Sequence, residues 1–202
     1  MSTSNSGRFS NVSTLSRIAL CMLLLTGTAA LWAQTPGPQR IDLGVTYIAQ
    51  RSLRASTTQN FWLEGGSAEL GLNVWHGVGP VVNFTGGHTG SIGSSGVPLA
   101  VLTTTFGLRD RRHAGKRVSI YGEGLFGFAS GSGSVFPAPS GAKSSATSFA
   151  WQVSGGVDYR LSGRFAVRAL DIGYLHTALP NGTDNVQNIL RVGAGLVVRF
   201  GA

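Results

Sequence analysis

Ser148-Phe149-Ala150-Trp151-Gln152-Val153-Ser154-Gly155-Gly156-Val157-Asp158-Tyr159-Arg160-Leu161 is the stretch that decides the fold. Phe149, Trp151, Val153, Val157, Tyr159 and Leu161 fall on one side of a two-residue period. Ser148, Gln152, Ser154, Gly156, Asp158 and Arg160 fall on the other. A helix winds at 3.6 residues per turn and would scatter these two sets over its whole surface, whereas a strand keeps them on opposite faces. The same alternation runs through Ile41, Leu43, Val45, Tyr47 and Ala49 near the start, and through Leu190, Val192, Ala194, Leu196, Val198 and Phe200 at the end. The chain therefore reads as β-structure from end to end.

Carried along the chain, this template gives eight strands at about 41–51, 61–75, 79–88, 98–109, 117–129, 147–161, 164–176 and 187–200. Each approaches or exceeds the roughly 9 to 11 residues that a tilted strand needs to cross a bilayer. Segments 52–60, 89–97, 130–146 and 177–186 are rich in Ser, Gly, Thr, Asn and Pro and read as long loops. Between them lie short links at His76–Val78 and Ser162–Gly163, and a longer basic one at Arg109–Lys116. Long loops on one side and short turns on the other is the asymmetry of an outer-membrane barrel. In the seventh strand, Leu170, Asp171 and Ile172 break the phase set by Phe165, Val167 and Arg168, which predicts a bulge.

Upstream of the first strand, Arg8 and Arg17 precede sixteen uncharged residues from Ile18 to Ala33, leucine-rich and then small-residued. That is the layout of a secretory signal peptide and is short for a membrane-spanning helix. Cleavage after Ala33 or after Ala30 fits the small residues there. The expected organisation is a removed signal over 1–33, a linker over 34–40 and one barrel domain over 41–202. Cys21 leaves with the signal.

Composition narrows the function classes. The chain of 202 residues has 30 glycines, 16 Lys+Arg and only 8 Asp+Glu, so its net charge of +8 arises from scarce acids rather than from dense lysine and arginine clusters. This argues against nucleic acid as a partner. His76, His88 and His113 lack metal-ligand spacing, and Gly122-Glu123-Gly124 is followed by no helix, so no metal or cofactor is expected. A soluble barrel with its apolar face inward is the rival fold. It is opposed by a polar face poor in charge, and by aromatics gathered near strand ends: Trp62, Phe84, Phe126, Phe128, Phe149, Trp151 and Tyr174 towards the loops, Phe106, Tyr159, Phe165 and Phe200 towards the turns.

The signal segment, the eight strands and the closing Arg191-Val-Gly-Ala-Gly-Leu-Val-Val-Arg-Phe200 resemble small bacterial outer-membrane β-barrel proteins of the OmpA transmembrane-domain and porin-like type. The resemblance implies an eight-stranded, antiparallel, up-and-down transmembrane barrel in the outer membrane. Its partners would be outer-membrane lipids and the barrel assembly machinery, which would read Gly195, Val198 and Phe200. Two residues follow Phe200, and Gly193 stands where such signals usually carry a polar residue.

Asp42, Glu69, Glu123, Asp158, Arg160, Arg168, Arg191 and Arg199 fall on the inward faces. In a lumen barely wide enough for side chains, acids and arginines are expected to pair. Glu69, Glu123, Arg168 and Arg191 are the expected ion-pair network, read as a fixed filling of the lumen or, alternatively, as a gate for small ions. The basic run Arg109–Arg117 reads as a solvated turn, with anionic lipid headgroups as its alternative contact. His176-Thr177 followed by Pro180-Asn181-Gly182 faintly resembles the outer-membrane lipid A 3-O-deacylases, but Ala178 stands where that family has serine, and no catalytic residue is assigned. The expected function is a non-enzymatic envelope role. The alternatives are adhesion to an unknown surface ligand through 130–146 and 177–186, solute or ion passage, and lipid A hydrolysis.

Overall fold

A computed structural model describes residues 39–53, 60–93, 95–139, 141–181 and 185–201. The segment read as a signal peptide lies outside the described residues. Eight antiparallel strands, β1 (Gln39–Ser52), β2 (Trp62–Leu72), β3 (Val78–Thr89), β4 (Leu99–Ala114), β5 (Val118–Phe136), β6 (Lys143–Arg160), β7 (Phe165–Thr177) and β8 (Gln187–Gly201), pair in chain order, and β8 closes on β1. The first strand thus takes in Gln39 and Arg40, which the sequence had placed in a linker.

Burial follows the period of two. Along β5, Tyr121, Glu123, Leu125, Gly127 and Ala129 are buried, while Ile120, Gly122, Gly124, Phe126 and Phe128 face out. The apolar side is the outer one: Val45 is 60% exposed and Leu108 62%. A soluble barrel would hide that face, so the rival fold is excluded.

The stagger of the sheet sets its dimensions. Following paired residues round the wall leads from Asp42 through Gly71, Val81, Gly107, Leu125, Gln152, Leu175 and Ile189 back to β1 at Ser52, ten residues further along. With ordinary strand spacing, eight strands and a stagger of ten give a tilt of roughly 40° and a radius of about 8 Å. Each residue then climbs about 2.5 Å along the axis, so ten residues cover an apolar band of about 25 Å.

Two segments differ from the sequence reading. The 130–146 segment is not a loop: β5 runs to Phe136 and β6 starts at Lys143, leaving 137–142 between them. Its serines and glycines suggested a coil, but a paired hairpin satisfies their backbone groups in the ladder whatever the side chains. At 19 residues β5 climbs roughly 48 Å, about twice the band. The Arg109–Arg117 run is likewise mostly strand. β4 continues to Ala114 with alternation intact, so Arg109 and Arg111 point into the lumen while Asp110 and Arg112 point out. Only 115–117 form the turn.

Phe106 and Phe126, expected at opposite ends, are register partners with ring centroids 4.3 Å apart. The stagger carries β5 upward relative to β4 and brings them to one height. At the β2–β3 turn, His76 (φ 48°) and Gly77 (φ 89°) are both left-handed between Trp75 and Val78, which exchange backbone hydrogen bonds. This is the two-residue hairpin whose twist matches the strands, and glycine adopts its second position without strain.

Candidate functional site in the barrel lumen

Inward side chains arrange themselves in two levels. In the half nearer the short turns stand five acids, Asp42, Glu69, Glu123, Asp158 and Asp171, and four arginines, Arg109, Arg111, Arg168 and Arg199, with Arg191 just above them, all buried. Arg109 and Glu123 are register partners across β4 and β5. Arg109 Nη2 lies 2.6 Å from both Glu123 Oε2 and Glu69 Oε2. Glu69 Oε1 is in turn 2.6 Å from Arg168 Nη2, and Arg168 Nε reaches Asp158 Oδ1 at 3.1 Å. Asp158 Oδ2 holds Arg111 and Arg199 at 3.0 Å each, while Arg111 also bonds Asp42. The charges balance five to five and each is close to an opposite charge, which is what a low-dielectric site demands of ions that stay ionised.

Tyr121 sits inside this cluster. Its hydroxyl donates to Asp171 Oδ2 at 2.6 Å, and the guanidinium carbons of Arg168 and Arg109 lie 4.4 and 4.9 Å from its ring centroid. The ring face supplies electron density to two cations whose edges are already taken by carboxylates.

The bulge predicted in β7 has a specific consequence here. Pairing with β8 jumps from Arg168↔Gly195 to Asp171↔Gly193, and pairing with β6 skips Ala169. Residues three apart normally face opposite sides of a strand. The extra residue puts both Arg168 and Asp171 in the lumen, Nη1 to Oδ2 at 3.5 Å.

Above the ions, Arg191 Nη1 donates to Gln152 Oε1 at 2.6 Å, Gln152 Nε2 to Ser154 Oγ at 2.9 Å, and Ser154 Oγ to Glu123 Oε1 at 2.7 Å. Higher still, at the long-loop end, the inward residues turn apolar. Leu63, Leu99, Val101, Ala129, Phe136, Ala150, Leu175, Leu179 and Ile189 form one buried cluster.

Of the four residues expected to form the ion-pair network, Glu69 and Arg168 pair directly, Glu123 pairs instead with Arg109, and the acid nearest Arg191 is Asp171 at 3.6 Å. Arg109, Arg111, Asp171 and Tyr121 were missed. For the two arginines the signal was present, since Arg109-Asp110-Arg111-Arg112 keeps β4's parity. Asp171 was hidden by the bulge. The apolar level was missed because a polar inner face was assumed throughout, yet runs such as Leu99-Ala-Val-Leu102 and Ile189-Leu190 are apolar on both faces. Arg160 is only partly buried and joins none of these lumen pairs.

Outside the barrel, His176 Nδ1 is 2.9 Å from Asn188 Oδ1, and its ring stacks on Trp151 at 5.4 Å. Gly195, Val198 and Phe200 pair with Thr46, Leu43 and Ile41 at the β1–β8 closure.

With the closed wall and its apolar exterior established, comparison with known proteins is decisive. The outer membrane protein beta-barrel domain model matches residues 18–200. The chain belongs to that family. Solved structures similar to this outer-membrane barrel include Neisserial surface protein A, at 15% identity and a TM-score of 0.61, covering 79% of this chain and 97% of that one. Ail, the attachment invasion locus protein of Yersinia pestis, is 15% identical with a TM-score of 0.51, covering 80% and 99%. OprG from Pseudomonas aeruginosa is 9% identical with a TM-score of 0.51, covering 84% and 100%. At these identities the likeness is one of fold. A comparison with curated proteins finds no match.

Proposed function

We propose that this outer-membrane barrel is a non-enzymatic envelope protein whose lumen is sealed, serving through its wall and rims rather than through a pore. The observation that carries this reading is the stacking of two unlike barriers, a neutral ion-pair network below and an apolar cluster above. Water or a small ion would have to break paired buried charges and then cross a dry constriction, each costly. The test is a planar bilayer: purified, folded protein should insert without conductance steps, and reproducible steps from the wild-type chain would overturn the reading. Catalysis is disfavoured because His176 is engaged by Asn188 and Trp151, with Ala178 beside it in place of a hydroxyl nucleophile. In the same reading, Gly195, Val198 and Phe200 are the assembly signal. Phe200→Ala should then slow barrel formation in cells while leaving refolding into detergent unchanged.

Surface recognition is a second reading, favoured by the β5–β6 hairpin, whose ladder continues past the bilayer band to Phe136↔Lys143. Ail has been crystallised with the heparin analogue sucrose octasulfate. Here Lys143 is the one cation in the segment 129–149, so a sulfated polyanion is a poor match, and a neutral partner suits the serine-rich ribbon better. Replacing 132–145 with a two-residue turn should abolish any surface binding while the barrel still folds, with some loss of stability because Phe136 leaves the apolar cluster.

A further inference from the structure

Most of the barrel's basic excess sits at one rim. The lumen's five arginines are cancelled by five acids. At the short-turn rim, the periplasmic one in barrels of this kind, Arg112, Lys116, Arg117 and Arg164 are exposed and Arg160 is half-buried. The one acid there among the described residues, Asp110, bridges Arg112 at 2.8 Å. Lys116, Arg117, Arg160 and Arg164 are therefore offset by no acid among the described residues.

Lys116, Arg117 and Arg164 stand on neighbouring turns, whereas Arg160, in phase with buried Asp158, lies on the lumen side. Arg117 and Arg160 are joined by a backbone hydrogen bond of 2.7 Å, and Arg164 accepts one from Arg199 on β8. Arg117 Nη1 also donates to the Tyr159 hydroxyl at 3.3 Å. Tyr159 is a lipid-facing residue of the wall, flanked by Leu161 and Phe165, which are also exposed. Tyrosines in this position sit at headgroup depth, so the bond fixes the height of Arg117 at the level of lipid phosphates. The far side of the same rim differs: Val74 and Trp75 are 72% and 70% exposed and carry no charge.

We infer that Lys116, Arg117 and Arg164 form a seat for the phosphates of anionic phospholipids in the periplasmic leaflet, giving the barrel an annulus that is selective on one side. Arginine's planar fork suits phosphate oxygens. Depth favours a lipid over a soluble polyanion, because the cations begin where the aromatic wall ends rather than projecting from it.

The experiment uses the full mature barrel reconstituted in phosphatidylcholine membranes, with spin-labelled phosphatidylglycerol and phosphatidylcholine as probes of lipid at the protein surface. Phosphatidylglycerol should associate with the wild type about threefold more strongly at low salt, and the preference should fall towards about one in 1 M salt. The triple variant Lys116→Gln, Arg117→Gln, Arg164→Gln should lose the preference at low salt as well. The loop-rim pair Arg51→Gln, Lys143→Gln should keep it. Heat-dependent gel migration confirms that each variant is folded; if the triple variant is not, Lys116→Gln, Arg164→Gln should lose about half of the preference. No preference in the wild type, a preference that survives the triple substitution, or one lost in the loop-rim pair overturns the inference. Salt-sensitive sedimentation of the wild type with purified peptidoglycan, without lipid preference, also overturns it, assigning the rim to the wall polymer.

Discussion

Arg109 and Glu123 face each other across the β4–β5 ladder, and the guanidinium places both Nε and Nη2 on Glu123 Oε2, at 2.9 and 2.6 Å. Backbone register alone brings the two together, and burial makes each dependent on the other. Replacing Glu123 with Leu should destabilise the barrel by about 3 kcal/mol or more, since it leaves a buried cation short of charge. Arg109→Met with Glu123→Leu should cost clearly less than the two single changes added. Urea unfolding in vesicles, followed by tryptophan fluorescence, measures this; simple additivity would show that the pair is uncoupled.

The two levels of the lumen act in series. Glu123→Gln loosens only the ionic level, so it should leave a planar bilayer silent. Leu63→Ala with Phe136→Ala and Leu175→Ala opens only the apolar level and should also be silent. Conductance is expected when both sets are combined. Discrete steps from Glu123→Gln alone would mean that the apolar cluster is no barrier.

Deleting Ala169 tests the bulge. Without it Arg168 and Asp171 stand two residues apart, so strict alternation keeps both in the lumen with Leu170 facing lipid. The deletion should therefore still fold on heat-dependent gels, whereas deleting Val167 from the regular part of the strand turns either Arg168 or the residues before it to the wrong face and should collapse the folded fraction. An Ala169 deletion that does not fold would show that the bulge does more than carry both charges inward.

Eight strands, their order and their faces were legible in the sequence because a period of two survives almost unbroken from Ile41 to Phe200. What was not legible arose where composition and pairing disagree. Ser130 to Ala146 reads as coil to any count of turn-forming residues, yet the ladder Ser132↔Ser145 and Ser130↔Thr147 holds it extended. Arg109 and Arg111 read as solvated because charge is usually exposed, whereas five acids from β1, β2, β5, β6 and β7 were waiting for the arginines inside. The parity of β4 already turned both inward, but no local pattern contains the identity of their partners. It depends on which strands meet across the lumen, and so on the stagger.

Glycines on the two faces should respond in opposite ways. A Cβ at Gly173 would lie 2.8 Å from Ser154 Cβ and 2.9 Å from Arg191 Cδ and Cγ, whereas one at Gly122 would meet nothing within 4 Å. Gly173→Ala should therefore cost about 1–3 kcal/mol through crowding. Gly122→Ala should be neutral or gain up to about 1 kcal/mol, because alanine loses less freedom on entering a strand. The same unfolding assay ranks them; equal effects would refute the crowding argument.

The ion cluster draws members from seven of the eight strands, β3 alone contributing no charge. A sheet that has not yet joined β8 to β1 can therefore satisfy only part of it. Asp42 arrives on the first strand and Arg199 on the last, and both belong to the group gathered round Asp158 and Arg111. Only closure of β8 on β1 completes the network. A wall with a strand missing, or slipped by one residue, would trap ions without partners and reopen, and only the complete, correctly staggered cylinder would stay closed.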